Sequence, residues 1–270
     1  MSELEIIARR PRRARRGPKL LFVHGICVGA WIWDEHFLPF FAEAGFEAYA
    51  VSLRGHGGSG GRDRLSSWRR ADYTEDMREA ARRVGGPLAV IGHSLGGAVV
   101  QDWLRTGGTA VAAALLASVP PWGVAPAAWR MSLASPALFR EMVVMSRRGP
   151  AAADPEVMRR GLFSDDLPAD AYARFVRRVQ GESPRVGVEL HGWPPFAPPP
   201  WLVLPMFVLG GGADRFVPPD EVWRTAAYYS VAPVIVPRLA HVLMLERRWE
   251  IAARALLDWL TGLFGQERRA

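Results

Sequence analysis

One serine in the sequence has the neighbours of a nucleophile. Gly92-His93-Ser94-Leu95-Gly96 follows the apolar run "PLAVIGH" (87–93) and opens the helix-like run "LGGAVVQDWLRTG" (95–107). A strand that turns at once into a helix forces the residue at the turn into a strained, exposed conformation, and small residues two positions to either side leave room for it. Ser94 would then stand at a helix N-terminus, where free N–H groups and the helix dipole favour negative charge. A serine hydroxyl attacks poorly unless a base takes its proton and an acid orients that base. Asp214 in "GGGADRFVPP" and His241 in "PRLAHVLMLE" supply those two groups, each in a loop after an apolar run. Taken singly, Ser94 is a tight turn, Asp214 a turn or capping residue and His241 a structural loop histidine. Placed together after three strands in the order Ser, Asp, His, they read as an acyl-transfer relay: Ser94 nucleophile, His241 base, Asp214 orienting acid.

The other histidines compete poorly for these roles. His93 is expected to pack beside the turn, His36 to sit on a helix, His56 in a flexible loop within "RGHGGSGG", and His191 in the Pro-rich region before residue 200. No pair has metal-ligand spacing with carboxylates nearby, so neither a metal site nor an organic cofactor is expected. The glycine-rich "GHGGSGG" lacks the lysine and Ser/Thr of a phosphate loop and does not lead into a helix as a dinucleotide fingerprint would.

These residues need a scaffold that brings loop ends together. Seven short apolar runs bounded by Gly, Pro or charge read as strands: 3–9, 19–23, 47–53, 87–93, 112–119, 205–210 and 232–237. Helical patterns lie between them at 34–45, 73–85, 95–107, 219–229 and 249–264. Runs without polar alternation suit strands covered by helices on both faces, so the alternation predicts an α/β, mostly parallel, doubly wound sheet. Residues 120–200 break the rhythm with Pro, Met and aromatic residues and no clear strand. We read residues 1–119 and 201–270 as the core and 120–200 as an inserted helical cap.

The chain of 270 residues suits one large domain or a core with an inserted subdomain. Its 49% hydrophobic and 23% charged content is that of an ordinary globular protein, and no uninterrupted apolar run is long enough for a membrane helix. The net charge of +7 is concentrated at one end: six arginines and Lys19 among residues 1–19 leave the rest close to balanced, so nucleic acid is not an expected partner. Cys27, the one cysteine, precludes an internal disulfide and fits a cytoplasmic protein. The stretch Arg15–Trp33 has basic, apolar and small residues in the order of a secretory signal. It begins too far into the chain, however, and its removal would delete a predicted central strand, so we read it as part of the fold.

Together "FVHG" (22–25), "SLRGHGGS" (52–59), "GHSLGG" (92–97), "GGADRFVP" (211–218) and "AHVLMLE" (240–246) make the chain similar to the α/β-hydrolase superfamily, in its esterase, lipase and haloperoxidase-like branch with a helical cap. The resemblance covers nearly the whole chain in the expected order. It implies that the loop after His24-Gly25 helps form an oxyanion hole, with the backbone N–H of Ile26 and of Leu95 as donors, or of Cys27 if the loop is shifted by one. It implies a serine hydrolase acting on carboxylic esters through an acyl-enzyme, without metal or cofactor. Haloalkane dehalogenases and epoxide hydrolases of this fold carry an aspartate where Ser94 stands, so those activities are not expected. C–C bond hydrolysis, lactone opening or perhydrolysis on the same triad, or ligand binding with little turnover, stay open. Trp31, Trp33, Trp122, Trp129 and Met142, with Cys27, are expected to line an apolar pocket between cap and core, together with Met131, Phe139 and Met145. They favour a small ester with a hydrophobic acyl or alcohol part. Many members have a longer N-terminal hairpin than "ELEIIAR" provides, so the first sheet strand is expected to be short or missing; a homodimer is possible on this reading.

Overall fold

A computed structural model describes residues 3–13, 15, 17–201 and 204–265; Ala14 and Arg16 of the basic arm lie outside the described residues. The chain runs β1 (Ile6–Arg9), β2 (Lys19–Val23), α1 (Trp31–Asp34), α2 (Phe37–Glu43), β3 (Ala48–Val51), α3 (Arg70–Val84), β4 (Leu88–His93), α4 (Leu95–Arg105) and β5 (Ala112–Leu116). It continues through α5 (Ala125–Ala134), α6 (Pro136–Arg148), α7 (Pro155–Leu162), α8 (Ala169–Val176), α9 (Pro184–Glu189), β6 (Met206–Gly211), α10 (Pro219–Tyr228), β7 (Pro233–Val236) and α11 (Trp249–Phe264). The seven strands form one sheet in the order β1-β3-β2-β4-β5-β6-β7. All pairs are parallel except β1 with β3, where Ile6 lies opposite Val51 and Arg9 opposite Ala48. The N-terminal strand is therefore present, but it is a four-residue antiparallel edge.

The period of two along each strand sorts its residues into two cores. Leu20, Phe22, Ala48, Ala50, Ile91, Ala114 and Leu116 face one side, where Trp33, Phe37, Phe41, Leu256 and Leu260 from α1, α2 and α11 cover them. Leu21, Val23, Val51, Val90, Ala113 and Leu115 face the other, against Tyr73, Met77, Val99, Trp103, Val222 and Ala226 from α3, α4 and α10. Burial on both faces explains why these strands lack a polar alternation. Five helices, α5 to α9, and no strand lie between β5 and β6 among the described residues, and Met131, Leu138 and Met158 form a small apolar cluster of their own there. Among the described residues no helix is long and apolar enough to cross a membrane.

The strand order places the chemistry. From β2 the chain steps to β3 on one side, then returns to β4 on the other, so β2 and β4 flank the switch point where open α/β sheets gather their ligand loops. The loop after β2 carries His24-Gly25 and the turn after β4 carries Ser94, with Val23 and Gly92 in register. The loops after β6 and β7 carry Asp214 and His241 to the same edge.

Candidate active site

Ser94 is the residue that joins β4 to α4, with φ 51° and ψ −119°. This is a conformation that non-glycine residues hold only when their surroundings enforce it. The enforcement comes from neighbouring glycines. A Cβ on Gly92 would lie 2.5 Å from the Gly96 carbonyl oxygen; one on Gly96 would collide with the carbonyl oxygens of Val23 and His24; one on Gly97 would collide with Ser118. Strand, turn and helix can therefore pack this closely only with glycine at these positions.

Ser94 Oγ lies 3.0 Å from His241 Nε2, and His241 Nδ1 lies 2.8 Å from Asp214 Oδ2. Asp214 is itself fixed by its other oxygen, which accepts the N–H of Phe216 at 2.8 Å and of Val217 at 2.9 Å. The two loops pack directly: Ala213 N–H donates to Leu239 O, and a side chain at Gly211 would strike the Leu239 carbonyl. The His241 ring is held between Phe216, 5.1 Å away, and His93, 4.9 Å away. His93 is buried, and its Nε2–H donates to the His241 carbonyl oxygen at 2.9 Å. Burial, with the neighbouring His241 adding to it, pushes the His93 pKa well down, so His93 is a neutral strut beside the turn. With all three groups buried, Ser94 can pass its proton to Nε2 while the imidazolium that forms is stabilised by Asp214.

The loop after β2 comes up against this serine. A Cβ on Gly25 would lie 3.1 Å from Ser94 Cβ and 2.9 Å from His93 Nδ1. His24 anchors the loop from below: Nδ1–H donates to Gly25 O at 2.7 Å, and Nε2 accepts the Leu53 N–H at 3.0 Å. That pair of bonds requires a neutral ring with its proton on Nδ1. Burial, aided by His56, pushes the His24 pKa down to about 3 and keeps it so. The N–H groups of Ile26 and Leu95 have no acceptor among the described residues. The Cys27 N–H, by contrast, is taken by Glu182 Oε2 at 3.3 Å. Of the two alternatives in this loop, Ile26 is the one whose N–H has no partner among the described residues.

The expected pocket residues divide. Trp31 is buried and lines two cavities: one of about 170 Å³ with Phe163, Leu167, Phe175 and Leu245, the other of about 280 Å³ with Gly57, Gly58 and Gln180. Ser94 lines neither of them. Met142 packs, with Phe139 and Met145, against the Met131–Leu138–Met158 cluster, and Phe216 joins that cluster to His241. The other three tryptophans are placed in three separate environments. Trp33 is fully buried in the core against Phe22 and Phe37, where it braces His93 edge-on. Trp122 turns its Nε1–H to Glu221 of α10. Trp129 is 68% exposed. Aromatic content alone does not say which face of a helix a residue occupies.

The structure also brings in residues the sequence did not assign to the site. His56 is fully buried, with Nε2 3.3 Å from a Glu182 carboxylate oxygen; Glu5 holds its loop by accepting the N–H of Gly58. Glu182 Oε1 also accepts the Tyr73 hydroxyl at 2.6 Å. Burial pushes the His56 pKa down, but the Glu182 charge beside it leads the opposing influences, which leave it raised. On the opposite side, Glu246 accepts from Ser164 N–H, Ser164 Oγ and Ala240 N–H, and Val242 N–H donates to Leu162 O. The α5–α9 segment is thus stitched to both loops that face Ser94. His36 lies between α1 and α2 rather than within a helix and stacks on Trp249. Among the described residues, no group of three or more His, Cys, Asp and Glu side chains is arranged to hold a metal ion.

The family model described as "Alpha/beta hydrolase family" matches residues 20–255, and the chain belongs to that family. Human Protein ABHD8 is 37% identical over 78 residues, which cover 28% of this chain and 18% of that protein. Polyneuridine aldehyde esterase of Rauvolfia serpentina is 33% identical over 87 residues, covering 31% of this chain and 32% of that enzyme. The chain therefore spans less than a third of the length of these relatives in the matched stretches. A thermophilic esterase from Thermogutta terrifontis has a similar structure, with a TM-score of 0.73 at 19% identity over 97% of this chain and 94% of the other.

Proposed function

We propose that the protein is a serine hydrolase that cleaves carboxylic esters, with Ser94, His241 and Asp214 as its triad and the Ile26 and Leu95 N–H groups as its oxyanion hole. The observation that carries this reading is the continuous chain of contacts from Ser94 Oγ through both ring nitrogens of His241 to Asp214, at 3.0 and 2.8 Å. Ser94 attacks the ester carbonyl carbon as His241 Nε2 takes its proton. The oxyanion forms against the two free N–H groups, at the N-terminus of α4, where the helix dipole adds to their effect. His241 then returns the proton to the leaving alcohol, and water, deprotonated by the same nitrogen, releases the acid from the acyl-enzyme.

Residues 120–200 serve as the cap in this reading. The apolar cluster that Phe216 joins to His241 supports a substrate with a hydrophobic acyl or alcohol part, since a charged or sugar ester would find few polar partners there. Similarity in fold to a thermophilic esterase and in sequence to part of polyneuridine aldehyde esterase supports this reading of the reaction class. Purified protein should hydrolyse short- to medium-chain p-nitrophenyl esters and react covalently with a fluorophosphonate probe, and Ser94→Ala should abolish both. Wild-type protein inert to ester and probe alike would refute the proposal.

A further inference from the structure

We propose that Glu182, contributed by the α5–α9 segment, is a positioning residue that orients the Ile26 N–H by holding the next amide of the same loop, so that the oxyanion site is complete only with this segment seated on the core. The inference rests on the ester-hydrolase reading given above and deepens it.

The loop Ile26–Val28 is gripped from one side by residues 180–182. Glu182 Oε2 accepts the Cys27 N–H at 3.3 Å, the Cys27 carbonyl accepts the Gln180 N–H at 2.9 Å, and the Gln180 side-chain amide reaches Val28 O at 3.5 Å. Both faces of the Cys27 residue are thereby committed to the α5–α9 segment. Cys27 has φ 62°, a left-handed conformation that a cysteine adopts only under constraint. Successive peptide planes share their torsions at Ile26 and Cys27, so fixing the Cys27 N–H and C=O limits the directions open to the preceding N–H. That N–H belongs to Ile26 and has no acceptor among the described residues.

Glu182 is itself placed by three groups that the oxyanion loop does not supply. Tyr73 of α3 donates to Oε1 at 2.6 Å, the Ser183 N–H donates to the same oxygen at 2.7 Å, and His56 Nε2 faces Oε2 at 3.3 Å, in ion-pair contact but off the axis of a hydrogen bond. A buried carboxylate is costly unless it is paired and bonded, and here its two oxygens meet the His56 ring and three N–H or O–H donors. Such a site suits a group that must keep one orientation. His56 also faces the neutral His24 ring at 5.2 Å and the edge of Tyr73, and Arg62 is the nearby like charge opposing its protonation.

The test compares Glu182→Ala and Glu182→Gln with the wild-type chain in p-nitrophenyl ester kinetics and in amide hydrogen exchange of peptides covering residues 24–28. Outright removal of an oxyanion donor costs about 10²–10³ in rate. Mispositioning one should therefore lower kcat of Glu182→Ala by roughly 10- to 100-fold, with KM changed by no more than about threefold. Exchange at residues 24–28 should quicken in the same variant. Glu182→Gln keeps an acceptor for the Cys27 N–H and should recover part of kcat. It should also lose the pH dependence of stability that comes from His56, whose raised pKa gives stability that is complete below the ordinary histidine value and is lost as pH rises through the folded value. Unchanged exchange in Glu182→Ala, or faster exchange with wild-type kcat, overturns the proposal. An inert wild-type enzyme overturns the ester-hydrolase reading instead, a result that no Glu182 variant could mimic.

Discussion

Replacing Asp214 by asparagine separates the chemistry of this residue from its structural work. Asp214 Oδ1 accepts the N–H groups of Phe216 and Val217, while Oδ2 accepts from His241 Nδ1 at 2.8 Å. An asparagine of the same shape keeps its carbonyl oxygen on the two backbone donors and turns its NH₂ group toward His241. Nδ1 must then accept rather than donate, which moves the ring proton to Nε2, the atom 3.0 Å from Ser94 Oγ. A protonated Nε2 cannot take the serine proton. The change of tautomer in a Ser-His-Asp relay costs about 10⁴ in kcat, or about 5 kcal/mol of transition-state stabilisation. Stability should hardly change. Asp214→Ala instead leaves two backbone N–H groups without acceptors, at about 1–3 kcal/mol each, so roughly 2–6 kcal/mol in all. The assay is a pair of measurements on each variant: kcat on a p-nitrophenyl ester and the midpoint of thermal unfolding. Asparagine should be nearly inactive and as stable as the wild type; alanine should be inactive and melt several degrees lower. An asparagine variant with wild-type kcat would refute the tautomer argument, and one as unstable as alanine would refute the assignment of the two N–H bonds.

Gly96→Ala should lose activity and stability together, because the added methyl group collides with the carbonyl oxygens of Val23 and His24. An overpacked position costs about 1–3 kcal/mol, read as a lower urea midpoint, and unchanged ester kinetics would contradict the close approach of β2 to the turn. The Cys27 thiol should resist a thiol reagent at pH 8 in the native protein and react once in urea, since burial first and the neighbouring Glu182 charge second push its pKa up. Stoichiometric native reaction within seconds would contradict that placement.

The fold was legible because its signals are local. Each strand is a short apolar run with no polar alternation, and Lys19–Val23 and Trp249–Phe264 begin and end where the pattern does. Ser94 was legible for the same reason, as strand, turn and helix around it are adjacent in sequence. Asp214 and His241 required only the further rule that such sites gather at strand carboxyl ends. Glu182 carries no comparable mark. Its partners Cys27, His56 and Tyr73 lie more than a hundred residues earlier, and "GESPR" reads as an ordinary surface connection until the fold brings them together. The burial of His56 was not legible either, because it comes from the distant Glu5 and from Ser52, whose side chains lie close to the backbone of Gly57 and Gly58. The tryptophans were placed together on residue type, and Trp33, Trp122 and Trp129 went to three different environments.

Phe216 stands two residues beyond Asp214, with one side of its ring near His241 and the rest packed into the apolar cluster of α5 to α7. A side chain at Gly161 would already crowd both Leu138 and this ring. The segment between β5 and β6 is therefore not an exchangeable module. A chimera that grafts a different set of helices onto this sheet inherits an acid loop shaped for the original ones. Redesign for a new substrate would have to start from the partner offered to Phe216, and only then consider the shape of the binding space.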